Sequence, residues 1–443
     1  MYNKEFEEIF AYANGKVDDI EILLVSNDNF SVRIHEQEIE AFNYSDEKGL
    51  GIRIIKDGKV GYAYTEKFDS ETFRKIVDKA LENSKFTVND EVPIMENYPD
   101  IPKKPNVFSD ELEKVGIDKK VEFAKNLEKY AKEFDKRIFN VPYAMMGSGK
   151  TYSKIANSKG LNKEDIQNYA YSYAGVLAGE KDDKRMGMDF IISRNFRDFD
   201  AKKLAEESCR KALDLLGGQQ IESGKYPIVF NNEMMATLLA TFSGIFSAKT
   251  VYEGKSLLKG KINELIANEK VTIIDDALHP DGLSTQAFDS EGYPAQTTVL
   301  VDKGKLVSYL HNTETARKFG VKSTGNGSRG YKSSLTVSPT NFFLKAGNLK
   351  ENELFGKRNR IIEIVSLQGM HSGANAISGD FSLSAEGFLW ENGIRKYSLK
   401  PFTISGNILQ LLHDVEAIAD NFRFNMSSVG AASTLIKELT VAG

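Results

Sequence analysis

From Asp19 to Glu66 apolar and polar residues alternate almost without a break: DIEILLVSNDNFSVRIHEQEIEAFNYSDEKGLGIRIIKDGKVGYAYTE. A repeat of two sends successive side chains to opposite faces, so a run this long folds as strands with one buried face and excludes a helix. Asp46–Gly49 and Asp57–Gly58 carry turn chemistry, and the stretch is expected to form an antiparallel meander that turns there. An amphipathic helix at about residues 3–14 precedes it. Another, in DSETFRKIVDKALENSK, follows and is capped by Asp69 or Ser70.

Pro93, Pro99, Pro102 and Pro105 then crowd one short stretch, where missing donors and fixed φ impose an extended surface connection. A long helix near 118–135 and a second strand series to about residue 196 lead into the helix of AKKLAEESCRKALDLLGG. Gly217–Gly218 closes that helix and marks the expected domain boundary. The fold class is α+β. Residues 1–218 should form an N-terminal domain with an antiparallel sheet and helices, and residues 219–443 a C-terminal β-rich domain of barrel or sandwich type. Helical segments near 232–246 and 405–419 interrupt the second.

The chain has 443 residues, 41% hydrophobic and 27% charged, with a formal net charge of -5. That balance supports two or three cores and gives no overall field for phosphates, so direct nucleic-acid binding is not expected. No run approaches roughly 18 uninterrupted apolar residues, so no membrane span is expected. MYNKEFEEIF lacks the basic-then-apolar order of a secretory signal, which points to the cytoplasm. Cys209, the single cysteine, lies on a helix and reads as a small core residue.

The motifs carry little chemistry by themselves. AMMGSGKTYSK (144–154) ends like a phosphate-binding loop, but Ala144 stands where a glycine is needed and a strand pattern follows where a helix should start. His35, His279, His311, His371 and His413 include no pair at ligand spacing. In DDALHPDG, His279 with Asp275 and Asp276 could hold a cation, or simply form a turn. Glu386 and Glu391 read as solvated acids, and no GxSxG elbow is present. Ser378-Gly379-Asp380 and Ser405-Gly406-Asn407 suit either plain turns or contact with an extended peptide backbone. Composition and spacing name no reaction.

The stretch FDSEGYPAQTTVLVDKGKLVSYLHNTETARKFGVKSTGNGSR (288–329) is more specific. It resembles a hallmark of the TldD/PmbA metallopeptidase family. In that family a D-x-E-G-x-x-x-Q strand leads through a turn to an A-R helix and a T-G-N-G-x-R loop. Asp289, Glu291, Gly292, Gln296, Gly304, Ala316, Arg317, Thr324, Gly325, Asn326, Gly327 and Arg329 fill the pattern. GANAISGDFSLSAEGFLWENG (373–393), TISGNILQLL (403–412) and the terminal LTVAG resemble further hallmarks. The N-terminal G-x-G-x-R strand (Gly49, Gly51, Arg53) and the D-G hairpin fit more loosely.

The resemblance implies a peptidase of two homologous subunits, acting on unstructured peptides. The TldD-type subunit binds zinc through HExxxH on a helix and a C-terminal cysteine. In an approximate register, Ala240, Thr241 and Ile245 stand at the matching positions of NNEMMATLLATFSGIF, and the C-terminal cysteine is missing. The chain therefore resembles the PmbA/TldE type: no metal or cofactor bound by itself, zinc in a TldD-type partner, and a dimer with that partner or with itself. The older family name, modulator of DNA gyrase, does not follow from an acidic sequence. Two other readings stay open: an autonomous homodimeric peptidase using His371, His279 and nearby aspartates, or a non-catalytic binding protein. The glycine-rich loops at 324–330, 378–382 and 405–407 are expected to gather at one cleft beside helix 231–246. Asn326, Arg329, Asp380, Asn407 and His371 would there contact a peptide, which could add as an extra strand.

Overall fold

The computed structural model describes residues 2–87, 94–98 and 101–443, so Pro93 and Pro99 lie outside the described residues. The alternating run forms β1 (Asp19–His35), β2 (Glu38–Lys56) and β3 (Lys59–Thr65). With β4 (Ile138–Asn157), β5 (Asn162–Glu180) and β6 (Asp183–Ser193) they make one six-stranded antiparallel sheet, ordered β3-β2-β1-β4-β5-β6. Even-numbered residues of β1 pack under helices. Ile20, Ile22 and Leu24 join the core under Asn3–Ala13 and Ser70–Ser84, and Phe30, Val32 and Ile34 the core under Ile117–Phe134 and Ala201–Asp214. Asp69 caps the second helix by accepting from the Thr72 amide at 2.9 Å. Cys209 is buried in the other core, and burial pushes its thiol up to about 12, the behaviour of a packing residue.

The first expected turn is misplaced. β2 runs straight through Asp46–Gly49, and the chain reverses instead at Glu36 and Gln37, both with positive φ. The Glu128 carboxylate, from helix Ile117–Phe134, accepts both turn amides at 2.7 Å and so holds a conformation these residues would otherwise avoid. The phosphate-loop look-alike lies wholly inside β4, where Lys150 pairs with Asp28 at 2.7 Å.

The C-terminal half contains a six-stranded sheet and a closed barrel. The sheet orders Lys305–Leu306, Thr297–Asp302, Ile273–Asp276, Phe342–Leu344, Val429–Ala431 and Arg423–Phe424. The barrel has five strands: Arg360–Gln368, Gly224–Phe230, Thr434–Ala442, Phe402–Asn407 and Asp380–Glu391, the last pairing back onto the first. Helix Asn232–Phe242 packs between sheet and barrel, and its Met235, Leu238 and Leu239 share their core. Two expectations need correction here. The 405–419 segment is helical only over Ile408–His413; Val415–Ile418 is a strand on Thr434–Ala442, where branched side chains fill the barrel edge. Residues 289–296 are an irregular turn and not a strand, because Gly292 has φ 75 and the Asp289 carboxylate takes the amides of Glu291 and Tyr293 at 2.9 Å.

The two halves interlock at β2. Tyr331 lies across Gly49 and Gly51, its ring against the first and its backbone against the second. Its hydroxyl donates to Glu66 at 2.6 Å. A Cβ at either glycine would overlap Tyr331 atoms, whereas nothing lies within 4 Å of one at Gly244. Gly51→Ala is expected to lower urea-denaturation stability by about 2–4 kcal/mol, and Gly244→Ala by under about 0.5 kcal/mol.

Candidate functional site

Directly behind Tyr331 lies a buried ionic cluster built from both halves. Arg329 Nη2 meets Glu21 Oε1 at 2.7 Å, and Arg53 Nε reaches the same oxygen at 3.3 Å. Arg53 Nη1 stands 3.6 Å from Glu291, and its Nη2 donates to the Ile94 carbonyl at 2.8 Å. Glu291 accepts from the Thr313 amide at 2.9 Å and from the Thr313 hydroxyl. Asp289 accepts the Gly327 amide at 2.8 Å. Burial, and for Asp289 the adjacent Glu291 charge, raises the pKa of both carboxyls. Asn326, in the same loop, donates to Asp275 at 2.7 Å and to the Ser338 carbonyl at 3.1 Å, and accepts from the Thr324 hydroxyl at 2.6 Å. The first hallmark stretch thus works as a joint between the halves.

Of the five expected peptide contacts, the structure brings Asp380 and Asn407 together at the barrel rim, the first exposed and the second half-buried. Asn407 Nδ2 donates to Asp380 Oδ1 at 2.9 Å, while Asn407 Oδ1 caps helix Ile408–His413. Hydrogen bonds from Asn407 and Ser378 hold the Asp380 carboxyl below the usual range. His371 is exposed on the short turn Met370–Gly373, which packs on the strand beginning at Asp380. Asn326 and Arg329 are placed differently, 2% and 8% exposed: Arg329 bonds Glu21 across the joint, and Asn326 bonds Asp275, Ser338 and Thr324 within the C-terminal half.

The metal candidates separate. His279 Nδ1 accepts the Asp281 amide at 3.2 Å, and its ring packs among Phe343, Phe422 and Phe424. Asp275 turns to Asn326 and Thr340, and Asp276 takes the Thr297 hydroxyl at 2.7 Å. Glu386 pairs with Arg185 at 2.7 Å and Glu391 lies 3.6 Å from Arg360. Among the described residues, His35, Glu36 and Glu128 do come within ligating reach of one another. Glu128, however, is occupied by the Glu36–Gln37 turn and by Lys132 at 3.0 Å. His311, which sequence reasoning passed over, is buried beside Phe319, and burial pushes it down to about 4, so it is neutral.

Helix Asn232–Phe242 shows a half-exposed stripe of Glu233, Thr237, Ala240 and Thr241. Both threonine hydroxyls fold back onto helix carbonyls, to Glu233 O at 2.8 Å and Thr237 O at 2.9 Å. Glu233 joins a charge chain: Lys211 at 3.2 Å, Asp189 a further 3.3 Å away, then Arg423 at 3.1 Å. Ile245 belongs to the following 3-10 turn and faces the core at 2% exposure.

Arg423, the last member of that charge chain, lines a groove. Three cavities of about 360, 580 and 580 Å³ adjoin there: Ile192 lines all three, Arg194 and Asp281 line the first and second, and Tyr169 and Leu283 the first and third. One wall is the end of β6 and the other is Arg423–Phe424; each is the outer strand of its sheet. On β6, the outward carbonyls of Met188 and Phe190 are taken by Lys211 at 3.0 Å and Arg423 at 2.6 Å. By alternation the backbone of Ile192 also faces outward, at the groove. Beside it Tyr169, Tyr171 and Tyr173 share one face of β5. Tyr169 and Tyr171 lie over Gly149 and Gly147 of β4, and Tyr143 lies over Gly175. The glycines of the false phosphate loop are therefore seats for rings. Two sheet edges beside a floor of flat aromatic surface can receive an extended polypeptide through its backbone. The tyrosine repeat of two facing glycines was the sequence signal for this, and it was missed.

Comparison with known proteins agrees with this architecture. The PmbA/TldA metallopeptidase domain 1 matches residues 20–84, the central domain 110–216 and the C-terminal domain 223–443. The chain belongs to the PmbA/TldD metallopeptidase family. It is 24% identical to metalloprotease PmbA of Escherichia coli O157:H7 over 97% of this chain and 94% of that protein. A candidate modulator of a DNA gyrase from Thermotoga maritima superposes with a TM-score of 0.93 at 30% identity, covering 100% of both chains. TldE from Thermococcus kodakarensis shares the fold at a TM-score of 0.90 and 24% identity, over 99% of this chain and 100% of that one.

Asp275 gives the joint a pH signature. Burial raises it to about 6, against the opposing bonds from Asn326 and Thr340. Between about pH 4 and 6 the folded state keeps a proton that the unfolded chain has released, so stability falls as pH rises through that window. Compared with Asp275→Asn, the parent should lose about 2–3 kcal/mol of urea-denaturation stability between pH 4 and 6.5. Parallel curves would contradict it.

Proposed function

We propose that this chain is the PmbA/TldE-type subunit of a two-chain peptidase that acts on unfolded peptides in the cytoplasm. It supplies walls of the substrate chamber, and a homologous TldD-type partner supplies the zinc. The observation that carries this reading is the chemistry of helix Asn232–Phe242. Its half-exposed stripe offers Glu233, Thr237, Ala240 and Thr241, with no imidazole, and Ile245 points into the core. An alanine and an isoleucine have no electron pair to give a metal, and the chain has no cysteine near its C-terminus. The donor set does not fit a zinc ion, so no catalytic step runs through this helix.

In this reading the groove between β6 and Arg423–Phe424 holds substrate by strand addition, which uses backbone hydrogen bonds and ignores side-chain identity. Asp380, Asn407 and His371 contact peptide at the barrel rim, while Asn326 and Arg329 act behind the wall by fixing the joint. We also propose Gly217–Gly218 as the boundary between the two domains.

Purified alone, the chain should hold less than about a tenth of an equivalent of zinc and leave an unstructured peptide intact. Mixed with a family member that carries HExxxH, it should restore cleavage. Full activity of that partner without this chain would refute the subunit role. In the active mixture, Tyr171→Ala should raise KM for an unstructured peptide roughly tenfold with the zinc content unchanged.

A further inference from the structure

A second cavity, of about 550 Å³, opens between β2, β3, helix Ser70–Ser84 and the Arg329–Ser333 loop, and the peptidase reading does not use it. Its twelve lining residues include four cations, Lys75, Lys79, Lys332 and Arg329, and no acid. Lys75 and Lys79 stand one helical turn apart on Ser70–Ser84, so both ammonium groups can reach the same bound anion. Each of the four cations has an acidic partner outside the lining: Glu71 for Lys75 at 2.6 Å, Glu82 for Lys79 at 3.4 Å, Glu66 for Lys332 at 2.6 Å and Glu21 for Arg329 at 2.7 Å; the three lysine pairs are exposed, and the arginine pair is buried in the joint. Exposed pairs of that kind are worth little and exchange readily for a bound anion. The floor is different in kind. Ile52 and Ile76 are buried there, and the Tyr64 and Tyr331 rings meet edge to face at 6.2 Å.

The geometry points to a binding site for a small amphipathic anion, with its apolar or aromatic body against Ile52, Ile76 and Tyr331 and its anionic head among Lys75, Lys79 and Lys332. The volume suits a ligand of one or two residues. A peptide C-terminus with an apolar last side chain and an aryl phosphate both present this chemistry. Because the floor is the loop that joins the halves, such a ligand rests on Tyr331 and stabilises the joint.

Calorimetric titration of the full chain alone tests this without any peptidase assay, so its outcome is separate from that of the subunit proposal. The probes are N-acetyl-phenylalanine, phenyl phosphate and N-acetyl-phenylalaninamide. At least one anion is expected to bind with a Kd near 1 mM, about tenfold tighter than the uncharged amide, and the tighter anion identifies the head group. Raising the salt should weaken it. Lys79→Met and Lys332→Met, both exposed positions, should each weaken it several-fold while far-UV circular dichroism stays unchanged. Equal binding of the amide, no binding by any probe, or full affinity in both variants would overturn the proposal.

Discussion

The Arg329–Glu21 contact and its neighbours Arg53, Glu291 and Asp289 hold the molecule in one piece. They lie where β1 and β2 of the large sheet meet the turn at 289–292 and the loop at 324–331. Each group is less than a tenth exposed. Charges buried so deeply are costly, and their mutual attraction offsets the cost only while every partner is present. Loss of one leaves the others uncompensated, on the order of 3–5 kcal/mol. The cluster adds little net stability, but it permits one seating of the halves, with Tyr331 across Gly49 and Gly51.

The groove depends on that seating. β6 belongs to the large sheet and Arg423–Phe424 to the C-terminal sheet, so the groove needs the halves seated together, by the joint and by Arg423 on Asp189 and Phe190. Unpaired strand edges invite aggregation, and here they are partly covered by Lys211 and Arg423, which cap the carbonyls of Met188 and Phe190. What stays open is the end of β6 at Ile192, beside the tyrosines of β5.

Much of this was legible in the residues. Period-two alternation gave the β1–β3 sheet, capping gave the helix at Ser70–Ser84, and the shift in pattern after Gly218 gave a β-rich second half that closes as a barrel. The misplacements share a cause. Gly49 looked like a turn residue, but it is glycine because a tyrosine 282 positions later occupies its side-chain space. Glu36 and Gln37 carry no turn chemistry, and they turn because Glu128 binds their amides. Gly147 and Gly149 imitated a phosphate loop because tyrosines lie over them. Val415–Ile418 continued a helical pattern and became a strand because Thr434–Ala442 lay beside it.

The sequence by itself determined the local structure, the class of each half and, through its hallmark residues, the family, because periodicity, capping and motif spacing are local properties of the chain. Only the tertiary structure decided what those hallmark residues do. Asn326 and Arg329 carry the polar, glycine-flanked look of substrate contacts, yet both are buried, one on Asp275 and the other on Glu21 across the joint, since such a partner is chosen by packing and not by spacing. Asp380 and Asn407 carry the same look and stay at the rim, because adjacent barrel strands set them opposite one another with one side open to solvent. The difference is burial, which is a property of the whole fold.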